Sequence, residues 1–299
     1  MAAGNPLQGR SPRLGSSCQC PEWLLVDHGD VQRLSTEQVR DIVERFTRRI
    51  NIRDVVNEPT ALTRFSNPMN TLAAGLGAVP FTRLHLQVAR AANPAATLLV
   101  NDYRTDSEYY RILERLHEHG RPLFNAIGLQ SHMHEGRWPL QNIWGGCDHY
   151  RGLGVPIHFT ETTVVSGRRV REGLWGETTP EGEARQADEV TKFYTVVFAH
   201  PAVEALTWWD FTDDGAWQAA PAGWLRKNMS PKPVYERLTE LIKGAWWTKI
   251  RGVTDMRGEF ATRAFYGIHR VTVQTPNGRV WTGDVSWQRG QVNWIECVL

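Results

Sequence analysis

Two glutamates stand where this chain can do chemistry. Glu58 follows the apolar run 52–57 (IRDVVN), and Glu161 follows 155–160 (VPIHFT). Each is the first acid after a strand-like segment. Two carboxylates facing one cleft can divide labour. One gives a proton to a leaving oxygen, and the other attacks a sugar carbon or activates water. A retaining pair stands about 5–5.5 Å apart and an inverting pair about 6.5–9.5 Å apart. A lone acid at a strand end more often faces the start of the next helix. Two such acids with polar neighbours favour the catalytic reading.

Those neighbours lie at other strand ends. Asn57 precedes Glu58, Asn101-Asp102 follow TLLV, Gln130-Ser131-His132 follow AIGL, and Asp210 follows ALTWW. A histidine beside a carboxylate can fix its rotamer and charge. Indole faces hold pyranose rings and exclude water, although thirteen Trp also suit a plain core. A zinc reading competes, because His132-x-His134 and Cys147-x-His149 offer four ligands. The acids are not spaced to complete it, and Cys18-x-Cys20 has no second pair. Neither metal nor cofactor is expected.

The elements that must position these groups alternate. Strand-like runs at 52–57, 97–101, 126–130, 155–160 and 205–209 are each followed by helical text, at 81–92, 106–120, 139–153, 184–199 and 234–243. A further helix at 35–50 is expected to open with Ser35 as its cap. Serial βα units predict a parallel sheet with helices outside. Polar side chains at five strand ends favour a (β/α)8 TIM barrel over a doubly wound sheet with one switch point. No Gly-x-Gly-x-x-Gly follows the first strand, which weakens a dinucleotide reading.

From residue 244 the texture changes. Runs at 260–265, 269–274, 280–286 and 291–298 alternate or are β-branched, and Asn277-Gly278 signals a hairpin. The expected organisation is a barrel over 1–243 and a small antiparallel β unit over 244–299. The 299 residues are 41% hydrophobic and 22% charged, which excludes whole-chain disorder. The net charge of +2 comes without a basic block, so nucleic acid is not expected as a partner. No apolar run approaches the roughly 18 residues of a membrane span. Residues 1–17 lack the apolar stretch of a secretory signal. Four cysteines show no disulfide framework.

Five blocks then carry a resemblance. DVVNEP (54–59), VNDYR (100–104), AIGLQSHMH (126–134), VPIHFTET (155–162), and WWDFTDDGAW with SPKPVY (208–217, 230–235) resemble glycoside hydrolase family 10, the endo-β-1,4-xylanases. They occur in the family's order. The resemblance implies Glu58 as acid/base and Glu161 as nucleophile. It places Asn57 on a sugar 2-hydroxyl, Gln130 and His132 beside the nucleophile, Trp209 and Trp217 as aromatic walls, and Tyr103 on the leaving-group side. It implies xylan or a xylo-oligosaccharide as partner, a monomer, and secretion.

The chain also departs from the family pattern. Asn5 stands where the third strand has His, and no Trp-His follows. Thr163 stands where an Asp is usual, and Asp210 replaces a Gly. The first two strands find no counterpart. The barrel is therefore expected to be incomplete at its N-terminus and its xylanase activity weak. The alternative is a catalytically impaired carbohydrate-binding relic that keeps the aromatic cleft.

Overall fold

The computed structural model describes residues 7–9, 30–171 and 173–298. The chain divides into two compact units, Met1–Val234 and Tyr235–Leu299. The expected boundary at 243/244 lies later in the chain, inside the helical turn Leu241–Ala245. In chain order the first strands are β1 (Leu7–Gly9), β2 (Ile50–Asn57), β3 (Thr97–Asp102), β4 (His117–Glu118), β5 (Arg121–Pro122) and β6 (Ala126–Leu129). They are followed by β7 (His132–Met133), β8 (Ile157–Val164), β9 (Arg169–Arg171), β10 (Leu174–Trp175) and β11 (Val203–Trp208). The helices are α1 (Val31–Arg45), α2 (Pro68–Leu76), α3 (Ala78–Ala92), α4 (Ser107–Glu114), α5 (Leu140–Arg151), α6 (Pro180–Ala199) and α7 (Pro233–Glu240).

The main sheet runs β1-β2-β3-β6-β8-β11, all parallel, and β7 adds to the end of β8. Neighbours in space follow the order of the chain. A doubly wound sheet would reverse direction at a switch point, and this one does not. The architecture is that of a (β/α)8 barrel in which the described residues supply six principal strands. Strands β3, β6 and β8 are buried almost throughout, as a parallel sheet covered on both faces requires. Strand β11, paired only with β8 in the sheet path, is half-exposed. Residues 4–6 and the Cys18-x-Cys20 pair lie outside the described residues.

Several expected boundaries moved for identifiable reasons. Helix α1 starts at Val31 after Asp30, so Ser35 is interior and its hydroxyl donates to Gln32 O. Helix α1 also ends at Arg45, because from Ile50 the backbone pairs with β1. Helix α2 was not expected. Asn67 caps it by accepting from Asn70 N, and Pro68 opens it. Helix α4 ends at Glu114, and Gly120 terminates no helix. His119 and Gly120 both have positive φ and turn the β4–β5 hairpin. Strand β8 continues past Glu161 to Val164, because β7 and β11 keep pairing with it.

The second unit holds a hairpin of β12 (Gly267–Gln274) and β13 (Val280–Trp287), turned through Asn277-Gly278. Arg270 and Asp284 form two hydrogen bonds across it, and Thr272 faces Thr282. Residues 260–265 and 291–298 form no strand. Among the described residues no helix is long and apolar enough to cross a membrane.

Candidate active site

Glu58 is the residue immediately beyond β2. Its backbone is left-handed, at φ 55° and ψ 55°, a conformation that costs a non-glycine residue on the order of 1 kcal/mol or more. The cost is met locally. Glu58 N donates to Asn101 O at 2.7 Å, and the short turn Pro59–Ala61 follows. Thr60 N and Thr60 Oγ1 both donate to the carboxylate of Asp102, which also accepts from Arg104 N. Asp102 is fully buried, and burial pushes its carboxyl up to about 6. It thus pins the turn that aims Glu58.

Glu161 sits inside β8 and is 3% exposed. Asn101 Nδ2 donates to its Oε1 at 2.9 Å, and His132 Nε2 meets its Oε2 at 3.2 Å. The other nitrogen of His132 lies 3.0 Å from Thr163 Oγ1. That contact gives the departure at 163 a function. A carboxylate can only accept, whereas a hydroxyl can also donate. Thr163 Oγ1 also donates to Glu161 O at 3.3 Å, so its hydroxyl braces the imidazole on the side away from the carboxylate.

One chain of amides joins the two acids. Gln130 Nε2 donates to Glu58 Oε1 at 3.2 Å and to Asn57 Oδ1 at 3.1 Å. Asn101 Nδ2 donates to the same Asn57 Oδ1 at 2.8 Å and to Glu161. Asn57 Nδ2 lies 3.4 Å from Glu58 Oε1. Asn101 is held in turn by Thr160, whose hydroxyl donates to its Oδ1 at 2.6 Å. Sheet register creates this cluster, since Asn57 pairs with Asn101 and Asn101 with Gly128. A Cβ at Gly128 would lie 2.5 Å from Asn101 Oδ1, so only glycine leaves the amide its place.

Aromatic rings close around His132. Trp217 lies at 4.8 Å and tilted, and Trp209 meets the imidazole edge-on at 5.7 Å. Trp217 N donates to Asp210 Oδ1. His134 packs against His132, Trp175 and Trp217, and burial pushes its imidazole down to about 4. Behind this loop a fully buried Lys232 donates to Asp213 at 2.7 Å and to Ser166 at 3.1 Å. The structure thus gathers Asn57, Glu58, Gln130, His132, Glu161, Trp209 and Trp217. Tyr103, 43% exposed, makes no hydrogen bond or ring contact among the described residues.

The zinc pairing does not assemble. His149 stacks on Tyr110 and Cys147 is buried on α5. Among the described residues no three His, Cys, Asp or Glu side chains converge as a metal site. Sequence reasoning placed Asn101 at a strand end but gave it no role in the site. It also missed Arg64, whose Nη2 donates to Glu58 Oε2 at 2.7 Å, and nothing in the local sequence signals that contact.

The sheet is wound in chain order, as in the parallel-barrel class, and carries a buried glutamate, a half-buried glutamate and indoles at its strand ends. The chain belongs to glycosyl hydrolase family 10, whose sequence model matches residues 15–241. It is 30% identical over 164 residues to the anti-sigma-I factor RsgI6 of Acetivibrio thermocellus, covering 54% of this chain and 20% of that protein. It is 25% identical over 240 residues to endo-1,4-beta-xylanase B of Thermotoga neapolitana, covering 75% of this chain and 66% of that one. The chain therefore spans between a fifth and two thirds of these two relatives. The fold is similar to xylanase 10B from Thermotoga petrophila in complex with xylobiose, at a TM-score of 0.63 and 22% identity over 76% of this chain and 71% of that chain.

Proposed function

We propose that the chain hydrolyses β-1,4-xylosidic bonds in xylan or xylo-oligosaccharides with retention of configuration. The observation that supports this most is the shared amide chain, which ties a buried carboxylate and a more exposed one into a single network. In this reading Glu161 is the nucleophile. Asn101 and His132 hold its two oxygens, so it attacks the anomeric carbon without reorganising. Glu58 gives a proton to the glycosidic oxygen as that bond breaks. It then takes a proton from the water that releases the glycosyl-enzyme. Asn57 spends one Nδ2 hydrogen on Glu58, which leaves the other for the sugar 2-hydroxyl. Trp209 and Trp217 would wall the sugar, and Tyr103 would lie toward the leaving group.

The test is to incubate the protein with an aryl β-xylobioside and follow the released anomer by proton NMR before mutarotation. The β-anomer is expected first. Initial α-anomer would refute the retaining assignment, and absence of any product would refute hydrolysis. One observation favours a second reading, a binding protein with impaired catalysis. Glu58 Oε2, which would carry the proton, is occupied by Arg64. Binding of xylotetraose without turnover of any glycoside would select that reading.

A further inference from the structure

Among the described residues, every polar group that touches the carboxyl of Glu58 is a donor. Asn57 Nδ2 lies 3.4 Å and Gln130 Nε2 3.2 Å from Oε1, and Arg64 Nη2 lies 2.7 Å from Oε2. Amide and guanidinium nitrogens cannot accept a hydrogen bond. An acid that is to protonate a leaving group carries a hydroxyl, and none of these partners can receive it. Oε1 is enclosed by the amide chain that also holds Asn57 and Glu161. The proton must therefore ride on Oε2, and that is the oxygen Arg64 holds.

The hold is built into the local chain. After the left-handed Glu58, Ala61 N donates to Glu58 O and Arg64 N donates to Ala61 O. Successive turns thus bring residue 64 back over residue 58. The Arg64 guanidinium lies 4.6 Å from the Phe65 ring centroid, which braces it. The Arg64 side chain is 48% exposed and that of Glu58 20%, so the pair contributes little to stability. Its consequence is for the reaction. A charged donor binds an ionised oxygen most strongly, and the bond weakens once that oxygen carries a proton.

We propose that Arg64 is a positioning residue that restrains proton donation by Glu58. The inference rests on the hydrolytic reading above. In the first step the Oε2 proton of Glu58 passes to the glycosidic oxygen as the C–O bond breaks, with the electron pair staying on that oxygen. The bond from Glu161 to the anomeric carbon forms, and the leaving sugar departs as an alcohol. Before this, Oε2 must take a proton from solvent, give up its charge-assisted bond to Arg64 and aim its hydrogen at the sugar. The restraint therefore falls on leaving groups that need a proton, as the sugar alcohols of xylan do. It spares those that depart as stable anions. One side chain would thereby account for weak xylan hydrolysis by a cleft that holds both glutamates.

The test uses the full chain and its Arg64→Met and Arg64→Lys variants. Each is assayed on xylotetraose, whose leaving group is a sugar alcohol, and on a nitrophenyl xylobioside. The values of kcat/KM report the step that forms the glycosyl-enzyme. Arg64→Met is expected to raise the ratio of kcat/KM on xylotetraose to that on the aryl glycoside about fivefold, the worth of an exposed ion pair. Arg64→Lys keeps a charged donor and should stay within about twofold of the unaltered chain. A merely structural role for Arg64 would lower both rates together and leave the ratio where it was. An unmoved or lowered ratio in Arg64→Met would overturn the inference and leave the hydrolytic reading standing, as would a rise in Arg64→Lys equal to that in Arg64→Met. Turnover of neither substrate by any of the three proteins would overturn it together with the hydrolytic reading.

Discussion

Asn101 donates to Glu161 Oε1 at 2.9 Å and through the same nitrogen to Asn57 Oδ1 at 2.8 Å. One buried amide thus sets the rotamer of the proposed nucleophile and of the residue beside the proposed acid. Gly128, its cross-strand neighbour, leaves it room.

This coupling predicts a result at a residue that touches no substrate. Gly128→Ala should push Asn101 aside and lower kcat by about 100-fold, the cost of a misplacement near 1 Å. Asn101→Ala should lower it similarly. The double variant should be little worse than either, because both break one link. Full additivity in kcat would show that the two residues act independently.

The two glutamates should separate by leaving group. Glu161→Ala should abolish turnover of every glycoside. Glu58→Ala should spare the first step for aryl glycosides with good leaving groups, which need no proton, and lose xylan. Values of kcat/KM on a nitrophenyl xylobioside and on xylan, which report the first step, check this. Equal loss on both substrates for Glu58→Ala would contradict its acid role.

Asp102 should make stability depend on pH. Its ordinary value is 3.8 and burial raises it to about 6. The folded state therefore holds this proton more tightly than the unfolded chain. Below 3.8 both states are protonated and the group is neutral to stability. As pH rises toward 6 the unfolded chain ionises first, so stability falls, by on the order of 3 kcal/mol in total. Asp102→Asn removes the titration and keeps an acceptor for Thr60. Urea melts at pH 4 and pH 7 should show the wild type losing ground to this variant as pH rises. A difference unchanged between the two pH values would refute the assignment.

Lys232 and Asp213 form a buried pair beneath the loop that carries Trp217. Lys232→Met leaves Asp213 without its cation and should cost about 3–5 kcal/mol. Adding Asp213→Asn to it should recover part of that loss. Thermal unfolding of the single and double variants measures both. A double variant less stable than Lys232→Met alone would show that the buried charge is not what costs stability.

Much of this protein is legible in the residues alone. Glu58 and Glu161 can be read as strand-end acids because an apolar run followed by an acid is a local pattern. Serial βα units declare a parallel sheet for the same reason, and Asn277-Gly278 declares its hairpin through backbone preference at two adjacent positions. The five blocks from Asp54 to Tyr235 were enough to suggest the family. The tertiary structure decided what depends on partners far along the chain. Sheet order, and with it barrel over doubly wound winding, exists only once strands pair. Register placed Asn57, Asn101 and Gly128 side by side from segments far apart in sequence. Arg64 reached Glu58 because the left-handed turn at Glu58 folds the chain back. Thr163 acquired its contact with His132 because β8 runs on past Glu161. The runs at 260–265 and 291–298 had strand-like composition but took no strand. A β-strand is completed by its neighbour's hydrogen bonds, and composition does not supply the neighbour.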